Sequence, residues 1–168
     1  DILSNLMELN IFPVAISYEF DPCDFLKAKE FQQKRDDPDF VKSQRDDLLS
    51  METGILNNKG RVHFTLTSPI NDQLAQLDPN MEKNELIAAI ASIIDKEIYK
   101  HYRVAYDMLT GTRRFSEHYG LKDKKQFEDY LQGQLDKIVL PNKDEAFLRT
   151  KILEMYTNPL KNFFANQE

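Results

Sequence analysis

A chain of 168 residues with 41% apolar and 30% charged side chains can bury a real core and is too apolar to stay disordered. Its 22 Lys and Arg against 28 Asp and Glu leave a net charge of −6 without a basic block, which argues against binding a nucleic-acid backbone. The single cysteine, Cys23, excludes an internal disulfide and fits a reducing compartment, and no apolar run approaches the ~18–20 residues that span a bilayer.

Ile2, Leu6 and Leu9 share one face of an opening helix that ends at Asn10. The start at Asp1, inside that amphipathic pattern, reads as a cut within something longer and not as a signal peptide. The continuous apolar run Ile11 to Ile16, leading into Ser17-Tyr18-Glu19-Phe20, predicts a strand over Ile11–Glu19 covered on both faces. Pro13 complicates its pairing, because proline cannot donate to a ladder. Asp21-Pro22 predicts a helix over about 22–35, with an Asp cap, a proline at the first helical position, and Phe25, Leu26 and Phe31 inward. Asp36-Asp37-Pro38-Asp39 breaks the chain before a helix over about 39–56 with Val41, Leu48 and Ile55 near one stripe.

Gly60 introduces a second strand, Arg61–Thr67. Val62, Phe64 and Leu66 face one way and Arg61, His63, Thr65 and Thr67 the other, so one apolar face is expected to be buried. Everything after Pro69 is predicted helical. Leu86, Ile87, Ile90, Ile93, Ile94 and Ile98 stripe a helix over about 82–100. Asp123 to Gln126 and Asn142 to Glu145 resemble capping boxes heading helices over about 123–138 and 143–157. The first carries Phe127, Tyr130, Leu131 and Ile138, the second Leu148, Ile152 and Tyr156. Asn158-Pro159 opens a last short helix with Leu160, Phe163 and Phe164.

These elements define an α/β, helix-rich fold with two strands of a mixed sheet. Two strands seldom make a stable sheet alone. The simplest account puts the remaining strands upstream of Asp1; a swapped dimer, or helices wrapping a two-stranded ribbon, also serves. Residues 1–70 then read as the C-terminal strands and helices of an α/β domain, and residues 71–168 as a helical C-terminal region. Ile11, Val14 and Ile16 are expected to be buried by more than this chain's own helices, with Val14→Asp damaging the core.

Asn10-Ile11-Phe12-Pro13-Val14-Ala15-Ile16 is similar to the fourth conserved block of the lysophosphatidic acid acyltransferase family. Lys59-Gly60-Arg61-Val62-His63-Phe64, running into Ser68-Pro69-Ile70, resembles that family's next strand, with Ser68 replacing part of its Gly-x-Pro-Ile turn. A closer resemblance is to a bacterial glycerol acyltransferase branch. It lies in Ser17 to Glu30, in Met51-Glu52-Thr53-Gly54, and in Leu140 to Leu148.

The resemblance implies the C-terminal part of a protein moving an acyl group from acyl-CoA or acyl-carrier protein to a glycerol-phosphate-type acceptor, with no resident cofactor. The family's catalytic His-x-x-x-x-Asp motif and its glycine- and arginine-containing block precede the proline strand. Neither occurs before Pro13, so the resemblance places no catalytic residue here. It implies as partners the upstream catalytic half, the lipid acceptor and a peripheral contact with the membrane, in the cytoplasm at its inner face, with no nucleic acid. Pro13 and Val14 are the substrate-binding candidates on the matching strand. Arg113 and Arg114, after Thr110-Gly111-Thr112, are the best anion contact, against a solvated loop. The alternative function is a noncatalytic helical interaction module that docks on a partner domain or dimerises.

Other chemistry has a bland competitor at each position. His118 and Asp123 match the catalytic spacing on the wrong side of the proline strand, and Asp123 serves better as a helix cap. Cys23 falls near a helix start, which lowers a thiol's pKa, but Asp21 and Asp24 push the other way. His63 on a polar strand face is an ordinary hydrogen-bonded histidine before it is a groove residue. No His, Cys and carboxylate set shows metal-ligand spacing. Leu160, Phe163 and Phe164 could touch a membrane interface, although packing onto the protein is the stronger reading.

Overall fold

The structure, a computed structural model, describes residues 2–102 and 124–165. Within them the fold is α/β and helix-rich, with seven helices and a two-stranded antiparallel sheet. In chain order the elements are α1 (Ile2–Leu9), β1 (Val14–Tyr18), α2 (Asp24–Asp36), α3 (Gln44–Leu56), β2 (Val62–Leu66), α4 (Asn71–Leu74), α5 (Lys83–His101), α6 (Lys124–Asp136) and α7 (Glu145–Ala165). No helix among the described residues is long and apolar enough to cross a membrane. The chain groups into two units. One comprises Asp1–Ser17, His63–Arg103 and Lys161–Glu168, the other Tyr18–Val62 and Val104–Leu160.

In the first unit α1 ends at Asn10, whose φ of 53° reverses the chain while its N–H returns to the Met7 carbonyl at 3.1 Å. α1 packs on α4, and Asn71 Nδ2 ties the two by donating to the Met7 carbonyl at 3.0 Å and Asn10 Oδ1 at 3.2 Å. Leu3, Ala15, Ile70, Leu74 and Leu86 are its buried apolar residues. Of the predicted isoleucine stripe on α5, Ile87 is exposed and Leu86 alone is fully buried.

β1 begins after Pro13, shorter than the predicted Ile11–Glu19 strand. Pro13 has no N–H, so it joins the pairing through its carbonyl only. That oxygen accepts the Thr67 N–H and the Thr67 hydroxyl, each at 3.0 Å. At the far end of the ribbon the Glu19 N–H donates to the Arg61 carbonyl at 2.9 Å, and Glu19 Oε2 accepts the Arg61 N–H at 2.9 Å.

Gly60, at φ 62°, makes the turn that allows this. A Cβ there would lie 2.6 Å from Glu19 Oε2 and 2.8 Å from Phe20 Cδ2. Gly60→Ala is therefore expected to cost roughly 1–3 kcal/mol in urea unfolding, from left-handed backbone strain and displacement of Glu19.

In the second unit α2 starts at Asp24, later than predicted. Asp21 caps the turn ahead of the helix, accepting the Cys23 N–H at 2.9 Å, and Cys23 occupies the N-cap position without a side-chain cap bond. α3 starts at Gln44 and not near 39, because Ser43 and Asp46 form a reciprocal capping box: Ser43 Oγ accepts the Asp46 N–H at 3.2 Å and Asp46 Oδ2 accepts the Ser43 N–H at 3.1 Å. Val41, Leu48 and Ile55, placed near one stripe, are all exposed.

α6 and α7 form the main core with α2. Phe127, Leu131, Leu135 and Ile138 recur at helical spacing, meet Leu148 and Ile152 of α7, and close on Ala28 of α2. Ala28 is small, which lets α2 lie close on α6. Asn158-Pro159 does not open a separate helix: α7 runs through Pro159 unbroken, at the loss of the Met155 carbonyl's usual i+4 donor.

Candidate functional site

The inward line of α2 is Asp24, Ala28 and Gln32, one residue per turn, all essentially inaccessible to solvent. A carboxylate and an amide at core positions need partners, and both have them. Asp24 Oδ2 accepts the Tyr130 hydroxyl of α6 at 2.7 Å and the Tyr156 hydroxyl of α7 at 2.9 Å, while Oδ1 accepts the Phe25 N–H at 2.6 Å. Tyr156 Oη also accepts the Asp21 N–H at 3.0 Å, and Tyr130 Oη accepts Gln134 Nε2–H at 2.6 Å. Phe20 stacks on Tyr130 with centroids 4.3 Å apart, and Phe127 meets Tyr156 edge-on at 5.5 Å. Burial pushes the Asp24 carboxyl above its ordinary range, against the pull of the two phenols. Burial, then the Asp24 charge, raises both tyrosines. The cluster can hold a proton, but its lid of rings leaves no room for a substrate at Asp24.

Two turns further along α2, Gln32 clamps the α6–α7 connection. Its Nε2 donates to the Asn142 carbonyl at 2.6 Å and to Asp36 Oδ2 at 3.0 Å, and its Oε1 accepts the Asp144 N–H at 3.0 Å. Arg35 reinforces the same junction, donating to Asp144 Oδ2 at 2.8 Å and lying 4.2 Å above the Phe147 ring. The Arg35 guanidinium holds the Asp36 and Asp144 carboxyls below their usual range. A hollow of about 230 Å³ opens beside the clamp, walled by Phe40, Leu140 and Pro141 with Asp36 and Asp37 at its margin.

The sheet presents the third feature. Pro13, Ala15, Ser17 and Thr67 are buried, with His63 and Thr65 half-buried on the same side. Phe12, Val14, Ile16, Phe64 and Leu66 are exposed, and Tyr18 and Val62 continue the alternation. The expected inward face of β2 is thus the outward one. The small and hydroxyl side chains face in, and the large apolar ones face out. The exposed side chains form a contiguous apolar face. Of Ile11, Val14 and Ile16, expected to be buried, Ile11 is half-buried and the other two are exposed, so Val14 is not a core position.

Pro13 and Val14 therefore sit side by side on opposite faces, Pro13 buried and Val14 outward. Arg113, Arg114, His118 and Asp123 lie outside the described residues, as do the side chains of Leu160 and Phe163; Phe164 is 38% exposed. His63 pairs with the Thr65 hydroxyl at 2.7 Å. Cys23 donates its thiol to the Ser50 carbonyl at 3.3 Å, and burial followed by the Asp21 charge raises its pKa, which disfavours the nucleophilic thiolate. No group of three or more His, Cys, Asp or Glu among the described residues could hold a metal ion. Sequence reasoning missed Asp24, Gln32, Tyr130 and Tyr156 as a set. The available signal was the spacing of four between Asp24, Ala28 and Gln32, together with two tyrosines on apolar stripes whose hydroxyls need buried partners.

Comparison of the chain with protein-family models, curated protein sequences and solved structures found no match.

Proposed function

We propose that the chain is the C-terminal part of a glycerolipid acyltransferase-like protein, whose catalytic half seats on the outward sheet face. The observation that carries this is the face itself: Phe12, Val14, Ile16, Phe64 and Leu66 stand exposed on two paired strands whose small residues are buried. Those strands are the segments that resemble the acyltransferase family. The parent reaction is acyl transfer from acyl-CoA or acyl-carrier protein to a glycerol-phosphate-type acceptor, in the cytoplasm at the inner membrane face. In this reading Val14 meets the catalytic half, Pro13 backs it from the buried face, and Arg113 and Arg114 offer cations to the acceptor phosphate.

The test is the reading frame that precedes Asp1 in the gene. A segment carrying a His-x-x-x-x-Asp motif ahead of the proline strand supports the proposal, and a frame without one overturns it. The 168-residue chain alone is expected to transfer no acyl group from acyl-CoA to lysophosphatidic acid above background. Turnover lost on His118→Ala would assign catalysis to this chain instead.

A second reading, a noncatalytic interaction module, is favoured by α3. Leu48, Met51 and Ile55 form an exposed stripe at i, i+3 and i+7 on a well-capped helix, a pattern suited to a partner's apolar groove. Soluble, tight complex formation by a chain with no acyltransferase frame ahead of it would select this reading.

A further inference from the structure

The three oxygens at the junction of α2, α6 and α7 form a triangle. Asp24 Oδ2 lies 2.7 Å from Tyr130 Oη and 2.9 Å from Tyr156 Oη, and the two phenol oxygens are 3.0 Å apart. Every edge is at O–H···O hydrogen-bond length, so filling all three takes three protons. The phenols carry two. Among the described residues the remaining donors in reach are spent on other lone pairs: Gln134 Nε2–H on Tyr130 Oη, the Asp21 N–H on Tyr156 Oη and the Phe25 N–H on Asp24 Oδ1.

Two protonation states can then be written. With Asp24 ionised, both phenols donate to Oδ2, and the 3.0 Å edge between the tyrosines holds no proton. With Asp24 protonated, its O–H donates to one phenol, that phenol to the other, and the second phenol back to Oδ2. Each oxygen donates once, and no edge is empty. A closed ring of this sort polarises in one sense around its circuit, which strengthens each bond in a dry site.

We propose that Asp24, Tyr130 and Tyr156 share three protons in a closed ring that latches α2 to α6 and α7, and that loss of the third proton loosens the latch. The ring is a proton-operated catch between helices.

Its surroundings favour the neutral form. Asp24 is fully buried, and the Asp21 carboxylate on the same side adds negative charge, although Lys27 at 2.6 Å compensates it in part. Just past α6, Lys137 donates to Gln134 Oε1. The Cys23 thiol is turned away to the Ser50 carbonyl, and α7 contributes Tyr156 itself. Because the folded state holds the proton more tightly than the unfolded chain, the sign is set. The contribution is complete below the ordinary carboxylate pKa of about 4 and is lost as pH rises through the higher folded value.

The deciding measurement is carboxyl carbon NMR of the full 168-residue chain, titrated from pH 4 to 9. The Asp24 signal is expected to keep its protonated shift after the exposed carboxylates have ionised. Amide exchange on α2 near Asp24 should quicken, relative to α5, as that signal titrates. Asp24→Asn supplies the second arm. Its amide does not ionise between pH 4 and 9, so the variant lacks the titration whichever of its atoms faces the phenols. The ratio of folding constants, wild type over variant, should therefore fall as pH rises. Ionisation of Asp24 together with the exposed carboxylates in the wild-type chain overturns the proposal, and so does a ratio that stays flat. If the variant does not fold, the wild-type titration still decides.

Discussion

Gln32→Ala is expected to destabilise the chain by about 2–4 kcal/mol, seen as a lower urea midpoint at nearly unchanged slope. Gln32 is 1% exposed and supplies both ends of a two-way clamp: the Asn142 carbonyl receives its N–H, and the Asp144 N–H is received by its oxygen. Alanine removes both partners at once. Two backbone groups of the α6–α7 connection then lose their protein partners, at roughly 1–3 kcal/mol for each left unsatisfied. Gln32→Glu should not rescue. It keeps an acceptor for Asp144 but sets a carboxylate against the Asn142 carbonyl and the Asp36 carboxylate. Lys34→Ala, two residues along on the exposed side, should be nearly neutral. A loss for Gln32→Ala no larger than for Lys34→Ala would show that the clamp contributes nothing.

The second large effect is on association. The wild-type chain at high micromolar concentration should self-associate through its outward sheet face, because an unoccupied apolar face finds another copy. Phe64→Glu combined with Leu66→Glu should lower the association constant roughly tenfold or more while helical circular dichroism is retained. These two residues are 63% and 67% exposed, so charge there removes little internal packing. Val14→Asp, at 43% exposed, should act in the same direction, reversing the expectation that it would damage a core. Sedimentation velocity over a concentration series is the readout. A wild-type chain that stays monomeric, or a double variant that unfolds, would remove the face from consideration.

Positions of elements were far more legible in the sequence than their facing. The run after Asn10, the alternation after Gly60 and the apolar stripes of α6 and α7 reported strands and helices correctly, because periodicity is a local property. Facing depends on what lies opposite. On β1 and β2 the size of the inward side chains decided it, and a hydrophobicity rule turns such a sheet inside out. On α2 the same rule chose Phe25, Leu26 and Phe31; Phe25 does pack partly buried against the core, but Phe31 stands half-exposed and the fully buried line is Asp24, Ala28 and Gln32. Polar residues read as core only when their partners are known, and those lie far along the chain, at Tyr130, Asn142 and Tyr156. The start of α3 was missed for a smaller reason. Asp46 closes the capping box where Glu or Gln is the usual signal. Arg113 and Arg114 were proposed from charge alone, and nothing in the described structure bears on them.

The buried oxygen triangle also has a consequence in time. Asp24 and Tyr156 are 132 residues apart in sequence, so a chain made from its N-terminus exposes α2 long before its last partner exists. At ~5–20 residues per second the interval is on the order of ten seconds. Throughout it Asp24 is an ordinary hydrated carboxylate, and Gln32 faces water as well, since Asn142 also comes late. The α6–α7 hairpin can form from neighbouring sequence as soon as it emerges, at small loop-closure cost. What it then receives is an α2 that has waited, solvated and charged, and that gives up its water and takes on a proton as it docks.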